Sequence, residues 1–305
     1  MIACTGSVAL DTTRTPFKTA ERVLGGSASY FSYCASFFTK VAPIGAVGED
    51  FPEKHFELFK KRGIDTRGIE RKTGKTLFFD SSFGYDFYAR TANELQLNVY
   101  QDYEPKVPEE FLDAQYVYLG TIVPAQQLKV LKAMEKRKFS FMDTIEYYIE
   151  TDRKSLEKVI AEVDGIVLND VEARMLTGES NLVKAGKKIL KMGPKMAILK
   201  KGEHGSILLY DGAVLPFPAF PLEDIVDPTG AGDSFAGGFM GHVARKGKAD
   251  ERTLREAMAY GNVMGSFVVE DFSLNRLARL GEADIEKRFG DYKKMMCMLC
   301  EKANL

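Results

Sequence analysis

Neither an excess of charge nor a long apolar run occurs in this sequence. Its 42 basic and 43 acidic residues leave a net charge of −1 over 305 residues, which argues against nucleic acid or an anionic membrane as the main partner. No apolar run approaches the roughly 18 residues that a membrane-spanning helix requires. The N-terminus carries neither a basic segment nor a long apolar one, so we expect no signal peptide and a cytoplasmic location.

Cysteine is too scarce and too scattered to form a metal-binding pattern. Cys4 and Cys34 lie in apolar segments and are predicted to be buried small hydrophobic residues. Cys297 and Cys300 have the spacing of a redox or metal pair, but no second pair of cysteines or histidines accompanies them. A reducing compartment is therefore the expectation.

What the sequence does contain is a regular alternation of strand and helix patterns. Hydrophobic residues make up 45% of the chain, enough for a large core. From residue 105 onward, short apolar runs alternate with amphipathic segments, which predicts βαβ units and a mostly parallel sheet covered by helices on both faces. Thr151 is predicted to be the N-cap of one helix. The predicted strands include 41–47, 116–119, 139–142, 166–168, 196–199, 206–209 and 213–217, and the predicted helices include 124–136, 151–163, 170–176, 182–192, 254–269 and 284–299.

The first hundred residues are predicted to supply a separate small sheet. Ile2–Leu10 is predicted as one buried strand that ends at Asp11. Residues 66–100 have Thr, Phe and Tyr at strand spacing with glycine breaks, which predicts a small antiparallel sheet that projects from the main body. We therefore predict one domain, residues 1–305, with a lid formed by about 12–24 and 66–100.

The stretch Asp227–Phe239 carries the strongest chemical signal. Three small residues, Gly230, Ala231 and Gly232, stand where an amphipathic helix begins. The first backbone N–H groups of a helix lack partners within it, and together with the helix dipole they bind anions, which small side chains allow to approach closely. Asp233 then places a carboxylate beside the predicted anion site, where it can accept a proton from an attacking group.

Polar residues also follow several of the predicted strands. Asp11, Asp143 and Asn169 stand at strand ends, and the loop before Asp233 follows another strand. Ligands of open parallel sheets bind beyond the carboxyl ends of the strands. Each residue alone has the ordinary interpretation of a turn or cap residue, but together they predict a shared cleft.

The segment 227–238, Asp-Pro-Thr-Gly-Ala-Gly-Asp-Ser-Phe-Ala-Gly-Gly, resembles the C-terminal signature of the PfkB, or ribokinase-like, carbohydrate kinase family. It is not a phosphate loop of the Walker type, because no Lys followed by Ser or Thr comes after its glycines. The resemblance extends over essentially the whole chain and implies a three-layer α/β/α fold with a mostly parallel sheet and a small projecting β-sheet lid. The implied activity is Mg²⁺-dependent transfer of the γ-phosphoryl group of ATP to a hydroxyl of a small sugar or polyol, with Asp233 as the general base.

The same resemblance assigns an acceptor side. Leu24-Gly25-Gly26 is similar to the family's N-terminal signature, whose glycine turn faces the substrate, and Asp11 occupies the place of an aspartate that bonds substrate hydroxyls. A bare backbone lets polyol oxygens approach, and a carboxylate can accept hydrogen bonds from two neighbouring hydroxyls. Tyr30 stands where sugar-kinase relatives usually carry Asn, so the acceptor cannot be copied from ribose or fructose kinases.

The metal and the nucleotide are assigned to the opposite side. Asn169 and Glu172 resemble the family's Asn-x-x-Glu motif, which positions Mg²⁺ largely through water. Their alternative interpretation is an Asn cap with an acidic first helical turn. Lys200, Gly202 and Gly205 fall where the family contacts the nucleotide, with a solvated lysine as the alternative.

Two further features near the C-terminus extend the resemblance. Gly261 and Asn262 lie in a segment similar to the small-residue helix that lines the family's adenine pocket. Asp227 is retained from the family's monovalent-cation site, but residues 270–273, Glu-Asp-Phe-Ser, replace the Gly-Ala turn that completes this site. Potassium activation is therefore left open.

The resemblance leaves alternatives to a sugar kinase. Aromatic residues are frequent on the acceptor side and in the lid, and aromatic rings stack on bases, so a nucleoside kinase of the same family is one alternative. Packing of the small sheet or a dimer contact also explains these rings. A second alternative is a non-catalytic sugar or nucleotide sensor, against which the intact base and anion turn argue. A lid with an apolar face is compatible with a homodimer formed through the lid.

Overall fold

The structure of the chain is a computed structural model that describes residues 1–88 and 90–296, so Cys297 and Cys300 lie outside the described residues. Its strands are β1 (Ile2–Thr5), β2 (Ala9–Arg14), β3 (Thr19–Gly25), β4 (Val41–Val47), β5 (Ile69–Arg71), β6 (Leu77–Phe83), β7 (Arg90–Gln96), β8 (Tyr116–Leu119), β9 (Phe139–Met142), β10 (Gly165–Asn169), β11 (Met196–Lys200), β12 (Ser206–Tyr210) and β13 (Ala213–Phe217). Its α-helices are α1 (Ser27–Ala35), α2 (Glu53–Lys61), α3 (Pro124–Ala133), α4 (Glu146–Thr151), α5 (Arg153–Ile160), α6 (Asp170–Thr177), α7 (Leu182–Leu190), α8 (Ala231–Lys246), α9 (Glu251–Val268), α10 (Asn275–Ala278) and α11 (Glu282–Met296). None of the described helices is long and apolar enough to cross a bilayer.

Nine strands form one central sheet in the order β13-β12-β11-β10-β9-β8-β1-β4-β5. Neighbouring strands pair in parallel from β5 to β11, whereas β12 and β13 are antiparallel additions at one edge. The predicted mostly parallel sheet is confirmed. The strands at 41–47, 116–119, 139–142 and 213–217 have the limits that the sequence predicts.

The central sheet lies between two helical layers, because successive residues of a strand face opposite sides. In β1, Ala3 packs into the cluster that includes α3, α5, α6 and α7, whereas Ile2 and Cys4 pack into the cluster that includes α1, α8 and α9. This confirms the three-layer α/β/α fold. Burial raises the pKa of the Cys4 and Cys34 thiols to about 12, so both are the buried hydrophobic residues predicted for them.

A second sheet, with the order β3-β2-β6-β7, forms the small sheet that the sequence predicts as a lid. The β2–β6 pair is parallel and the two outer pairs are antiparallel, so the lid is mixed and not purely antiparallel. The prediction that all of 66–100 belongs to it is too wide, because β5 pairs with β4 of the central sheet. The strands of the lid occupy 9–25 and 77–96.

The single strand predicted over Ile2–Leu10 is wrong, because the chain leaves the central sheet midway. The Ser7 carbonyl turns to accept the N–H of Ala28 at 3.0 Å, near the start of α1. Gly6 at the break has no room for a side chain, since a Cβ would lie 2.5 Å from a serine Oγ of α1. Asp11 therefore lies in lid strand β2 and not at the end of a central strand.

One predicted helix is also corrected. Within 151–163 only Arg153–Ile160 forms α5, and Thr151 ends α4 instead of capping α5. Asp152 stands between the two helices with φ −140° and ψ 47°, far from helical values, so the chain cannot continue as one helix.

Candidate active site

The predicted anion turn is present at the N-terminus of α8. Gly230 is the N-cap residue with φ 78°, a left-handed conformation that favours glycine. A Cβ there would also lie 2.4 Å from the Tyr30 ring, so glycine is required for two reasons. The N–H of Ala231 donates to the Pro228 carbonyl at 3.2 Å, whereas those of Gly230 and Gly232 have no partner among the described residues. These two N–H groups are available to an anion.

Asp233 lies in the first turn of α8, beside this anion turn. Burial raises its pKa to about 7, and nearby Asp143 raises it too, while Lys200 and Arg90 act in the opposite direction. A carboxyl group with a pKa near neutrality can take a proton from a hydroxyl and still be ionised in a useful fraction of molecules. Its surroundings therefore make Asp233 the candidate base.

A buried ion pair stands next to the anion turn. The Lys200 Nζ atom lies 3.0 Å from Asp143 Oδ2, and both side chains are largely removed from solvent. A Cβ on Gly232 would lie 2.6 Å from the same Nζ atom, so the ammonium group occupies the anion turn itself. Burial lowers the pKa of Lys200, but Asp143, Glu172 and Asp233 outweigh it and raise the pKa overall. Lys200 is thus a largely buried, charged lysine and not a solvated surface residue, and its contact with a phosphate stays a prediction.

Asn169 and Glu172 form a reciprocal capping box at the start of α6. The Glu172 N–H donates to Asn169 Oδ1 at 2.8 Å, and the Asn169 N–H donates to Glu172 Oε2 at 2.7 Å. The ordinary interpretation as a helix cap is therefore present in full. Burial raises the pKa of Glu172 to about 8, Asp143 raises it further, and Lys200 opposes them.

The crowding of carboxylates around Glu172 fits a cation. Among residues 1–88 and 90–296 no group of three His, Cys, Asp or Glu side chains is arranged to hold a metal unaided. Mg²⁺ bound with nucleotide phosphates needs only one or two protein oxygens and keeps several waters. Burial, and after it the neighbouring Asp143, disfavour the ionised form of Glu172, and a cation held mainly by phosphates and water would relieve this cost.

The acceptor side is built by the lid and by the turn that precedes α1. Asp11 is 7% exposed, and its side chain faces the α-carbon of Gly25. Gly26 has φ 91°, and a Cβ on it would lie 2.4 Å from the Ser7 carbonyl oxygen, so only glycine fits there. Burial raises the pKa of Asp11 to about 7, with Arg90 lowering it and Asp227 raising it.

Tyr30 is buried between the two halves of the site. It is 2% exposed, and its ring packs on the α-carbon of Gly230. Burial raises the pKa of its phenol, and the carboxylates of Asp227, Asp11 and Asp233 raise it further. The residue that stands in place of the family's usual Asn is thus a neutral phenol that links the anion turn to the acceptor side.

Arg90 is a site residue that the sequence analysis missed. It is the first residue of β7, and its guanidinium carbon lies 4.3 Å from the centroid of the Phe79 ring. The side chain reaches solvent although protein surrounds its guanidinium group, and this partial desolvation lowers its pKa. Asp11, Asp227 and Asp233 raise the pKa, so the three carboxylates lie within electrostatic range of the guanidinium group. No local pattern marks it, because its strand is exposed along its whole length. Only the pairing of β6 with β7 brings it to the cleft.

The predicted nucleotide-side residues lie at the end of β11, in the turn that follows it and in α9. Gly202 and Gly205 have φ 56° and 81° in the turn between β11 and β12. A Cβ on Gly261 would lie 3.0 Å from the Phe235 ring, so this glycine allows α8 and α9 to pack closely. The Asn262 amide donates to the Met258 carbonyl at 2.8 Å and lies 3.5 Å from Ser206 Oγ. Binding of the nucleotide by these residues stays a prediction.

The segment 270–273 is held by arginines. Glu270 pairs with Arg276 at 2.6 Å and with Arg288 at 2.5 Å, and Asp271 pairs with Arg279 at 2.6 Å. Asp227 itself is buried, and its carboxylate accepts the N–H of Thr229 at 2.9 Å. A monovalent cation beside Asp227 stays an untested prediction.

The tip of the lid contacts the opposite wall of the cleft. The Tyr88 hydroxyl lies 3.2 Å from one carboxylate oxygen of Asp170, the first residue of α6, and Asp170 also pairs with Arg174. Phe17 and Tyr85 pack edge to face at the same tip, with ring centroids 6.0 Å apart. Some aromatic residues of the lid therefore pack against each other, and Tyr88 joins the lid to the opposite wall of the cleft. A homodimer through the lid stays a prediction.

The fold and this site define a class before any comparison is made: an α/β/α phosphotransferase with a lid, an anion turn and a carboxylate at the start of one helix. The family model described as pfkB family carbohydrate kinase matches residues 1–278. The chain belongs to this family and is a kinase of the sugar or nucleoside class.

Known proteins resemble the chain over most of its length. It is 32% identical over 247 residues to a cytidine kinase of Thermococcus kodakarensis, covering 79% of this chain and 87% of that protein. The nucleoside kinase of Burkholderia thailandensis in complex with inosine superposes with a TM-score of 0.79 at 17% identity, covering 95% and 97% of the two chains. An E. coli ribokinase II in complex with ATP and Mg²⁺ superposes with a TM-score of 0.77 at 18% identity, covering 95% and 99%. The two structural likenesses establish the fold.

Proposed function

We propose that the chain transfers the γ-phosphoryl group of ATP to a primary hydroxyl of a neutral nucleoside, with Asp233 as the general base. The observation that carries the proposal is the placement of Asp233 between the free N–H groups of Gly230 and Gly232 and the Lys200 ammonium, with Asp11 across the cleft. An attacking hydroxyl needs a base, and a transferring phosphoryl group needs cationic or N–H donors around it.

Charge favours a neutral acceptor over a phosphorylated one. The acceptor side holds the carboxylates of Asp11, Asp227 and Asp233, and burial raises the pKa of each. Asp227 also raises the pKa of Asp11, and Asp143 and Asp11 raise that of Asp233. Arg90 is the cation that acts on all three. A sugar phosphate would bring about two more negative charges into this region, where like charges oppose each other strongly.

A nucleoside is favoured over a simple sugar by the relatives. The relative that is 32% identical over 79% of this chain acts on cytidine, and a neighbour of the same fold binds inosine. Phe79 and Arg90 lie side by side, so a nucleobase would meet both an aromatic ring and hydrogen-bond donors. A small sugar or polyol remains the second candidate, because Asp11 and the Gly25-Gly26 turn suit any vicinal diol.

The reaction follows from these positions. Asp233 takes the proton of the attacking hydroxyl as its oxygen forms a bond to the γ-phosphorus, and the bond from that phosphorus to the bridging oxygen of ADP breaks. The N–H groups of Gly230 and Gly232 and the ammonium of Lys200 stabilise negative charge on the transferring group. Asp11 holds neighbouring hydroxyls of the acceptor, and the lid above it excludes water, which is a competing acceptor.

Mg²⁺ belongs on the side of Glu172 and Asp143. When bound with ATP it neutralises charge on the phosphates. Glu172 keeps one carboxylate oxygen outside the capping box, since the bond to the Asn169 N–H uses Oε2. We infer that this oxygen orients water molecules of the metal, as expected for a cation that keeps most of its hydration shell.

A coupled ADP-release screen with ATP and Mg²⁺ tests the proposal. The acceptors are cytidine, uridine, adenosine, inosine, ribose, fructose, their phosphates and inositol. The proposal predicts turnover with at least one nucleoside at a kcat/KM well above that of any sugar or sugar phosphate. ADP release with free sugars but with no nucleoside would contradict this proposal and support a small sugar or polyol as the acceptor. Ligand binding by calorimetry without any ADP release would instead support the non-catalytic sensor.

A further inference from the structure

The guanidinium group of Arg90 lies on the inner side of the lid, next to Asp11. Its carbon is 4.3 Å from the centroid of the Phe79 ring, and Phe79 is the register partner of Asp11 across β6 and β2. Register partners on adjacent strands have neighbouring side chains on one face of the sheet. The lid therefore presents a ring, a cation and a carboxylate side by side to the acceptor.

Arg90 has no protein partner for its hydrogen-bond donors. The lid arginines Arg14 and Arg22 each form an ion pair at 2.9 Å, with Asp80 and Asp50. Arg90 forms neither an ion pair nor a hydrogen bond within the part of the chain that the structure describes, although three carboxylates act on it. A guanidinium group has five N–H donors in a rigid fork. An acceptor molecule bound between this fork and the carboxylates would contact both.

The two sides of that space demand complementary chemistry. Asp11 and Asp233 accept hydrogen bonds, so they suit the hydroxyl groups of the acceptor. The fork of Arg90 donates, so it suits adjacent acceptor atoms. A ribose offers hydroxyls, and cytosine offers two neighbouring acceptors, O2 and N3, whereas uracil carries a hydrogen on N3. Bidentate donation by arginine to paired base atoms discriminates between bases in other settings.

We propose that Arg90 is a specificity-determining residue of the acceptor site, which donates a pair of hydrogen bonds to adjacent acceptor atoms on the base, such as O2 and N3 of cytosine. This proposal rests on the proposed function, the phosphorylation of a nucleoside. The contact with the Phe79 ring, 4.3 Å from the guanidinium carbon to the ring centroid, limits the motion of the fork before the acceptor binds.

The test compares kcat/KM for cytidine and uridine in the wild type, in Arg90→Met and in Arg90→Lys. The wild type should prefer cytidine. Arg90→Met, which keeps the stem but loses every donor, should reduce the cytidine-to-uridine ratio roughly 10- to 100-fold, mainly through cytidine. Arg90→Lys keeps the charge but loses the fork, so its ratio should fall as well. Arg14→Met, a lid arginine paired with Asp80, is the matched control and should keep the wild-type ratio.

The outcomes separate this inference from the function on which it rests. A wild type that phosphorylates nucleosides, with a cytidine-to-uridine ratio unchanged in Arg90→Met, would overturn the role of Arg90 alone. Equal losses for both nucleosides would also overturn it, because they would show a general effect of the charge. A wild type that phosphorylates sugars but no nucleoside would overturn both proposals. Circular dichroism melting of each variant confirms that the lid change leaves the protein folded.

Discussion

The Oδ2 atom of Asp11 lies against the α-carbon of Gly25, so closely that a Cβ on Gly25 would stand 1.9 Å from it. Asp11 belongs to β2 and Gly25 ends the adjacent strand β3. The glycine is therefore required to make room for the carboxylate as well as to expose the backbone to an acceptor. The position of the Asp11 carboxylate therefore depends on the absence of a side chain at Gly25.

Gly25→Ala should displace the Asp11 carboxylate and weaken acceptor binding. We expect KM for the acceptor to rise roughly 10- to 100-fold, as small misplacements of catalytic groups do, with KM for ATP nearly unchanged. Steady-state kinetics with each substrate varied in turn measures both constants. Gly290→Ala, at a helical position with open space around it, is the control and should behave like the wild type. An unchanged acceptor KM in Gly25→Ala would show that Asp11 does not bind the acceptor.

The pH dependence of kcat/KM should report the base. Asp233 has a pKa of about 7, so the rate should fall on the acid side of that value, and Asp11, with a similar pKa, should steepen the fall. Lys200 lowers the pKa of Asp233, so Lys200→Met should move the acid limb to higher pH. Lys195→Met, a surface lysine, is the control and should leave the limb in place. A limb that does not move in Lys200→Met would argue against coupling between the two groups.

Asp233→Asn should stabilise the protein at neutral and alkaline pH. The pKa of Asp233 is raised in the folded state from 3.8 to about 7, so the folded state holds the proton more tightly than the unfolded state does. The stability that this group contributes is present below its unfolded pKa and is lost as the pH rises through its folded pKa. The melting temperature of Asp233→Asn should exceed that of the wild type by a few degrees at about pH 8 and by less at about pH 5. Asp113→Asn, an exposed change, should show no such pH dependence, and a lower melting temperature for Asp233→Asn at about pH 8 would contradict the account.

Glu172→Gln should separate the role of Glu172 in capping α6 from its proposed role at the metal site. Glutamine can keep the reciprocal hydrogen bonds of a capping box, so α6 should stay folded, but the negative charge is lost. We expect the Mg²⁺ concentration for half-maximal activity to rise roughly 10-fold, as for changes in residues that orient a metal's ligands. Burial raises the pKa of Glu172 to about 8 in the folded protein, so the melting temperature of Glu172→Gln should also rise at about pH 8, as in Asp233→Asn. A titration of ADP release with Mg²⁺ measures it, with Glu162→Gln as the control. An unchanged Mg²⁺ requirement would show that Glu172 caps α6 and has no role at the metal site.

The sequence predicts those parts of the fold that local patterns determine. Strands β4, β8, β9 and β13 and the start of α8 at Gly230 follow from apolar runs and glycine positions, and the structure confirms them. The division of Ile2–Leu10 between two sheets could not be foreseen, because a continuous apolar run looks the same whichever sheet its residues join. The shortness of α5 depends on the single residue Asp152, whose backbone conformation no propensity fixes.

The site could be predicted only where a motif is continuous in sequence. Asp233 lies next to Gly230 and Gly232 in the sequence, so the sequence alone predicts that these residues act together. Arg90 and Asp143 reach the cleft through strand pairing alone, the first across the lid and the second by an ion pair with Lys200 at 3.0 Å. Charge in a cleft is a property of the folded chain, so the sequence predicts no role for Arg90 and gives Asp143 only a place at the predicted cleft.

The turnover of Asp233→Asn tests the central claim most directly. The measurement is ADP release under single-turnover and steady-state conditions, with ATP, Mg²⁺ and the best nucleoside from the acceptor screen. We predict that kcat falls roughly 10²- to 10⁴-fold, the usual contribution of a positioned general base, while calorimetry shows both substrates still binding within a few-fold of the wild type. A variant that turns over at close to the wild-type rate would contradict the assignment of Asp233 as the base.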